Sequence, residues 1–223
     1  MAYILNLETA TKNCSVAVAK NGQVLAFRDM AELGYSHAEK LHVFIEEVLK
    51  EVGLQFKDLD AIAVGQGPGS YTGLRIGVSA AKGLAFALGI PLIAVDTLAV
   101  LAAQAKVSDG SIVPLIDARR MEVYSAVFDS DLNNKREVQA EIITESSFGN
   151  LEGNVYFVGD CLDKCKTVLT KSNFVFLDAI TYPSAKQMAA FSNDQYQKND
   201  TVDVAFFEPF YLKDFMITSK KES

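Results

Sequence analysis

Two short stretches of this chain hold residues whose types and order suit phosphate chemistry. One is Glu8-Thr9-Ala10-Thr11, an acid and two hydroxyls directly after an apolar strand pattern at Tyr3 to Leu7. The other runs Gly65-Gln66-Gly67-Pro68-Gly69-Ser70-Tyr71-Thr72-Gly73-Leu74-Arg75-Ile76-Gly77, five glycines and a proline in thirteen residues. A carboxylate such as Glu8 can hold a metal-bound water, with Thr9 and Thr11 facing phosphate oxygens. In the plainer reading the threonines only open a turn, and the two readings stand side by side. The glycine stretch follows a buried-looking strand at Asp60 to Val64. It precedes an apolar helix from about Thr72 to Leu88, which Gly89 is placed to end in a left-handed cap. Strand, glycine loop and helix N-terminus in that order direct free N–H groups and the helix dipole at an anion. The same glycines would also let a second surface pack closely, because they carry no side chain.

Other chemistry is thin. His37 and His42 are five apart on a helix, about 140° around its axis, which is too far for one metal ion. Cys14, Cys161 and Cys165 cannot all pair, and they read as buried or idle thiols rather than a disulfide framework. Ser70 lies in a glycine turn without the nucleophile-elbow pattern, so a serine hydrolase is a weak alternative. No metal site and no cofactor is expected.

The chain has 223 residues, 49% of them apolar, which is enough for a sizeable core in one domain or two small lobes. A net charge of -7 argues against broad phosphate-backbone binding by this chain alone. No segment offers the ~20 uncharged apolar residues of a membrane span, and the N-terminus lacks a basic region before an apolar run, so a cytoplasmic protein is expected.

The elements that must position these residues repeat one plan. The first half reads as a strand at 3–7, a hairpin at 14–19 and 24–28 turned at Lys20-Asn21-Gly22, and a helix from about His37 to Val52 with a Ser36/Glu39 capping box. A strand at 61–64, the glycine loop and its helix, a strand at 91–95 and a helix from about Thr97 to Ala105 follow. The second half reads as strands at 112–116, 122–128, 138–143 and 155–158, a helix at about 160–169, a strand at 174–177 and a helix at about 184–196. The helix after its third strand is missing. The expected architecture is α/β, a duplicated βββαβαβα plan with a reduced second lobe. The boundary falls in the polar stretch from Ala105 to Gly110, giving lobes 1–106 and 107–223, with the last residues free to return to the first lobe.

This plan resembles the actin, sugar-kinase and Hsp70 (ASKHA) superfamily, which binds nucleotide between two such lobes; fold analogy assigns no activity by itself. The second acidic turn of that plan is here Asp117-Ala118-Arg119, with no glycine where backbone should approach phosphate. Only Gly159-Asp160 stands where paired glycines should meet adenosine. Independent ATP hydrolysis is not expected.

At the glycine loop the likeness becomes specific. Gly67-Pro68-Gly69-Ser70-Tyr71-Thr72-Gly73-Leu74-Arg75-Ile76-Gly77 resembles the signature of the TsaB family, also called YeaZ. Ile4 to Thr11, Ser36-His37-Ala38-Glu39, Asp117-Ala118-Arg119 and Pro209-Phe210-Tyr211-Leu212 support it, so it covers nearly the whole chain. The resemblance implies an inactive relative of TsaD, the subunit that transfers threonylcarbamoyl to the adenosine beside the anticodon of certain tRNAs. It further implies a non-catalytic subunit in that biosynthesis: a heterodimer with TsaD, docking of the ATPase TsaE on that pair, a homodimer in isolation, and tRNA met only indirectly. Glu8, Thr9, Thr11, Asp117 and Arg119 would be residual nucleotide or interface residues. The alternative is an independent small-molecule kinase or acyl-transfer enzyme of the same fold, relying on Glu8 and Asp117.

The helix after the loop is apolar almost all round, with Gly73, Gly77, Ala81 and Leu84 on one side, Leu74 and Val78 on another, and a narrow polar stripe of Arg75, Ser79 and Lys82. Such a helix needs cover on more than one face. Either both helices of the first lobe are sandwiched within one domain, or one face meets a partner. The resemblance implies the second, with Leu41, Phe44, Ile45 and Val48 of the preceding helix completing the contact.

Overall fold

The computed structural model describes residues 1–31 and 37–212. The chain opens with strands β1 (Tyr3–Glu8), β2 (Asn13–Lys20) and β3 (Gln23–Ala31), followed by helix α1 (His37–Glu51). Strand β4 (Ala61–Gly67), helix α2 (Tyr71–Leu88), strand β5 (Leu92–Asp96) and helix α3 (Thr97–Ala102) complete the first half. The second half runs β6 (Ser111–Asp117), β7 (Glu122–Asp129), β8 (Asn134–Ile142), β9 (Val155–Gly159), α4 (Leu162–Lys166), β10 (Phe174–Phe176) and α5 (Ala185–Gln197). Two five-stranded mixed sheets result, ordered β3-β2-β1-β4-β5 and β10-β9-β6-β7-β8. In each sheet three antiparallel strands lead into parallel ones, so the duplicated plan is present and the fold is ASKHA-like. Residues 143–154, where the second half lacks a helix, are turns. The Ser36 half of the expected capping box lies outside the described residues.

Local chemistry sets these elements. β1, β4 and β6 are near-continuous apolar runs because both faces of their sheets are covered. The β2–β3 hairpin turns at Asn21 and Gly22, both left-handed at φ 50 and 79°. Ser70 caps α2 by accepting the Gly73 N–H at 3.2 Å, and Gly89 ends it left-handed at φ 66°. Asp96 caps α3 through the N–H groups of Leu98 and Ala99, and α3 is shorter than its apolar pattern suggested.

The molecule is layered. α1 and α2 cover one face of the first sheet with Leu41, Phe44, Ile45, Val48, Val78 and Ala81 against Leu5, Val16 and Val64. α3 and α5 cover its other face around Ile4, Ile93 and Met188, and α3 also packs on the second sheet at Ile112 and Ile116. α4 covers the far face of that sheet around Phe157. α5, late in sequence, thus belongs to the first sheet. It is fixed there by Ala185 N–H donating to Ser15 Oγ at 2.7 Å and Ser192 Oγ to Asn6 Oδ1 at 2.6 Å.

After α5 the chain turns back. Val202 pairs with Leu92 on the outer edge of β5, and residues 203–212 run as a strap along α2 toward the glycine loop. The Val202 N–H bond to Leu92 O at 2.9 Å occupies one acceptor on an edge that would otherwise offer it unpaired.

Candidate functional site

The glycine loop is occupied by the chain itself. Gly65, Gly69, Gly73 and Gly77 recur at every fourth position, and each faces the end of β1 or the β1–β2 turn. A Cβ on Gly65 would lie under 3.0 Å from the Glu8 carboxylate, and one on Gly69 or Gly73 under 3.0 Å from the backbone oxygen of Ala10 or Thr9. On Gly77 it would meet Thr9 Oγ1 just as closely. The turn is also bonded into the groove. Ser70 N–H donates to Ala10 O at 2.6 Å, and Thr9 Oγ1 donates to Gly73 O at 2.8 Å. The four-residue period is the signal in the sequence for this arrangement, and reading the loop by its glycine content alone passes over it.

Glu8 sits beneath this joint with no exposed surface. Ala10 N–H donates to Oε1 at 2.7 Å, and the Thr97 hydroxyl, which accepts Gly67 N–H at 3.1 Å, donates to Oε2 at 3.2 Å. Burial pushes the Glu8 pKa up to about 7, against the opposing pull of these hydrogen bonds. Both oxygens are engaged inside the protein, and neither reaches the surface. Thr11 Oγ1 accepts Asn13 N–H at 3.3 Å, while its carbonyl lies 2.7 Å from Nε2 of the buried His37. The turn reading of the two threonines is the one that matches these contacts. Thr97 is a member of this cluster that sequence reasoning missed, since an isolated threonine opening a helix carries no signal.

In the second half, Asp117 is likewise spent on its own turn. Its carboxylate accepts Arg119 N–H at 3.0 Å and pairs with Lys164, and its N–H donates to Asp160 Oδ1 at 2.8 Å. Burial raises the Asp160 pKa. A cavity of about 370 Å³ lies beyond, lined by Gly159, Asp160, Leu162, Asp163, Lys166, Asp178 and Thr181. Gly159 has φ 135° and packs on Leu115, so it serves the strand crossing. Among the described residues, no three His, Cys, Asp or Glu side chains come together as metal ligands. Cys14, Cys161 and Cys165 are buried free thiols.

The residues expected at a partner interface lie largely inside this chain. Leu41, Phe44, Ile45 and Val48 of α1 and Gly73, Leu74, Gly77, Val78 and Ala81 of α2 are buried within this chain, and Leu84 is half-buried. Their apolar faces are consumed by the first sheet and the β1–β2 turn. The outward face of α2 carries Thr72, Ser79, Gly83, Phe86 and Ala87 with half-buried Ile76, and on α1 Val43 is exposed. The polar stripe of α2 is not free either. Lys82 Nζ donates to Phe207 O at 2.8 Å and Ala205 O at 3.2 Å. The Arg75 guanidinium lies 4.0 Å from the Tyr71 ring centroid and donates to Tyr211 Oη at 3.3 Å. Tyr71 and Tyr211 pack with centroids 5.0 Å apart, and Phe210 N–H donates to Gln66 O at 2.8 Å. Arg75 and the Pro209 to Leu212 segment, far apart in sequence, thus form one clasp over the loop that holds the cis peptide Gly67–Pro68.

Known proteins match this arrangement along most of its length. The family model described as TsaD, tRNA N6-adenosine threonylcarbamoyltransferase, matches residues 32–220. The "tRNA threonylcarbamoyladenosine biosynthesis protein TsaB" of Escherichia coli (strain K12) is 32% identical over 219 residues, 94% of each chain. The solved structure of YeaZ from Pseudomonas aeruginosa superposes with a TM-score of 0.84 at 28% identity, covering 95% of this chain and 100% of that one. The ethanolamine utilization protein EutJ from Carboxydothermus hydrogenoformans shares the fold alone, with a TM-score of 0.54 at 14% identity over 85% of this chain and 89% of its own. With the signature loop, the acidic β1 end and the Tyr211 clasp all in place, the chain belongs to the TsaB (YeaZ) family.

Proposed function

We propose that this chain is a non-catalytic subunit in threonylcarbamoyladenosine biosynthesis on tRNA, one that binds and supports the TsaD catalytic subunit and helps recruit the ATPase TsaE. The observation that carries this reading is the occupied glycine loop: where a phosphate would have to approach backbone, the Glu8 to Ala10 segment already lies. Glu8 and Asp117, which an independent kinase or acyl-transfer enzyme would need free, are bonded to their own surroundings. The name of the E. coli relative points to the pathway, and the TsaD family model points to a shared ancestry with the catalytic subunit. The two lobes divide near residue 106, and the chain works in the cytoplasm; among the described residues no helix is long and apolar enough to cross a membrane.

The partner face is the outward side of α2 with Val43 of α1, where Phe86 stands 82% exposed. TsaD covers it in the heterodimer and a second copy covers it in isolation, while tRNA is engaged chiefly through TsaD. Gly83 is the cleanest probe, because a Cβ there meets nothing within 4 Å. Gly83→Arg should keep the fold and raise helix stability by roughly 0.5–1 kcal/mol, while abolishing co-elution with TsaD in gel filtration. Undiminished complex formation would overturn the assignment of this face. The isolated wild-type chain should show no heat of binding for ATP with magnesium in calorimetry; tight binding would favour the enzyme reading.

A further inference from the structure

The β6–β7 connection holds two successive arginines in a conformation that long side chains avoid. Arg119 has φ 73° and Arg120 φ 53°, both left-handed. In the first half a shorter, two-residue hairpin loop gives its left-handed positions, φ 50 and 79°, to Asn21 and Gly22. A residue with a Cβ gives up on the order of 1 kcal/mol or more in that region relative to glycine. The second turn therefore keeps two arginines against its own backbone preference.

A lysine engages the acid at the start of this turn. Lys164 Nζ pairs with the Asp117 carboxylate and donates to Arg120 O at 2.7 Å and Glu122 O at 2.8 Å, which braces the turn. Arg119 and Arg120 are both exposed, and among the described residues neither forms an ion pair. Exposed Lys12, on the β1–β2 turn, lies within electrostatic reach of Asp160, itself hydrogen-bonded to Asp117 N–H. Two exposed arginines thus stand side by side on a braced turn of a protein whose net charge is -7.

We propose that the Arg119–Arg120 turn is a contact for adjacent phosphates of an RNA backbone. Guanidinium forks suit phosphate oxygens, and a rigid turn presents two of them with little side-chain reach to search. The contact positions RNA without reading its sequence. It adds a local foothold to binding that the acidic chain cannot sustain alone, so it rests on the proposed membership in a TsaD complex acting on tRNA.

The test uses the complex of this chain with TsaD and a tRNA transcript, titrated at several salt concentrations. The double variant R119N/R120G places residue types that accept left-handed backbone at both positions. It should melt a few degrees higher than wild type, yet bind the transcript about tenfold more weakly at low salt. Its salt dependence should be shallower by about 1.5 in log–log slope, since each neutralised phosphate contributes roughly 0.7–0.9. A double variant that binds RNA like wild type overturns the proposal. So does one that fails to co-elute with TsaD, since the arginines would then contact protein. If the wild-type pair itself does not form, the reading of function fails and the RNA contact argued from it falls as well.

Discussion

Gly73→Ala should destabilise this protein by about 2 kcal/mol, the reverse of what a glycine-to-alanine change in a helix interior normally does. Intrinsic propensity alone would favour alanine by about 1 kcal/mol. That gain is expected at Gly83, whose surroundings are open. At Gly73 the new methyl group meets the backbone oxygen of Thr9, which cannot rotate away, and forcing extra volume into such a joint costs about 1–3 kcal/mol or more. Gly77→Ala should be milder, because the obstructing atom is the Thr9 hydroxyl at the end of a side chain. Thr9→Ala should cost about 1 kcal/mol for its bond to Gly73 O, and the double variant Thr9→Ala/Gly77→Ala should be more stable than the sum of the singles predicts. No such relief is expected for Thr9→Ala with Gly73→Ala. Urea denaturation of these variants measures it. Equal effects at Gly73 and Gly83 would show that the β1–β2 turn does not fill the glycine groove.

This result bears on how the chain's most conspicuous segment is read. A strand, a glycine loop and a helix N-terminus are the parts of a phosphate site, and the sequence shows all three in order. What it does not show is that another segment of the same chain, far earlier in sequence, lies in the groove. Composition cannot distinguish a glycine kept free for a ligand from one kept free for Thr9 O. The order of elements along the chain, the Asn21–Gly22 and Gly89 turns and the missing helix of the second half were legible because they are written in local periodicity and local turn chemistry. The fate of the apolar faces of α1 and α2 was not. An all-round apolar helix reports that it must be covered, but not whether sheet, strap or partner covers it. The strap is the clearest case: Lys82 and Arg75 look like a solvated stripe until Phe207 O and Tyr211 Oη are found on them.

The corrected surface follows from the same contacts. With the glycine side of α2 against Thr9, the apolar side against the first sheet and the basic side under the strap, only the Thr72, Ser79, Gly83 and Phe86 side remains outward. A partner that binds this helix therefore does so through small and exposed side chains flanked by an aromatic clasp. Substitutions at Gly77 or Ala81, which a sequence-level reading would choose as interface probes, report on folding instead.

Glu8→Gln should flatten the pH dependence of stability between about pH 4.5 and 7. The folded-state pKa, about 7, is above the ordinary value of 4.5, with burial as the main cause. The folded protein therefore holds a proton that the unfolded chain has already released. Stability from this group is fully present below pH 4.5, falls as pH rises from there, and is exhausted once pH passes about 7. At 1.36 kcal/mol per unit of pKa, the loss comes to about 3 kcal/mol. A glutamine side chain carries no charge at any pH and keeps the shape. Its carbonyl oxygen accepts Ala10 N–H, and its amide donates to Thr97 Oγ1 in place of the bond received there. At pH 8 the variant should melt several degrees above wild type; near pH 4.5 the order should vanish or invert through the altered Thr97 bond. Asp96 and Asp160 are also raised by burial and would contribute slopes of the same sign, but they are common to both proteins, so the difference between the two pH profiles belongs to Glu8. Parallel profiles would mean that Glu8 stays ionised in the fold, with water or a cation reaching it, and would restore it as a candidate for metal-assisted chemistry.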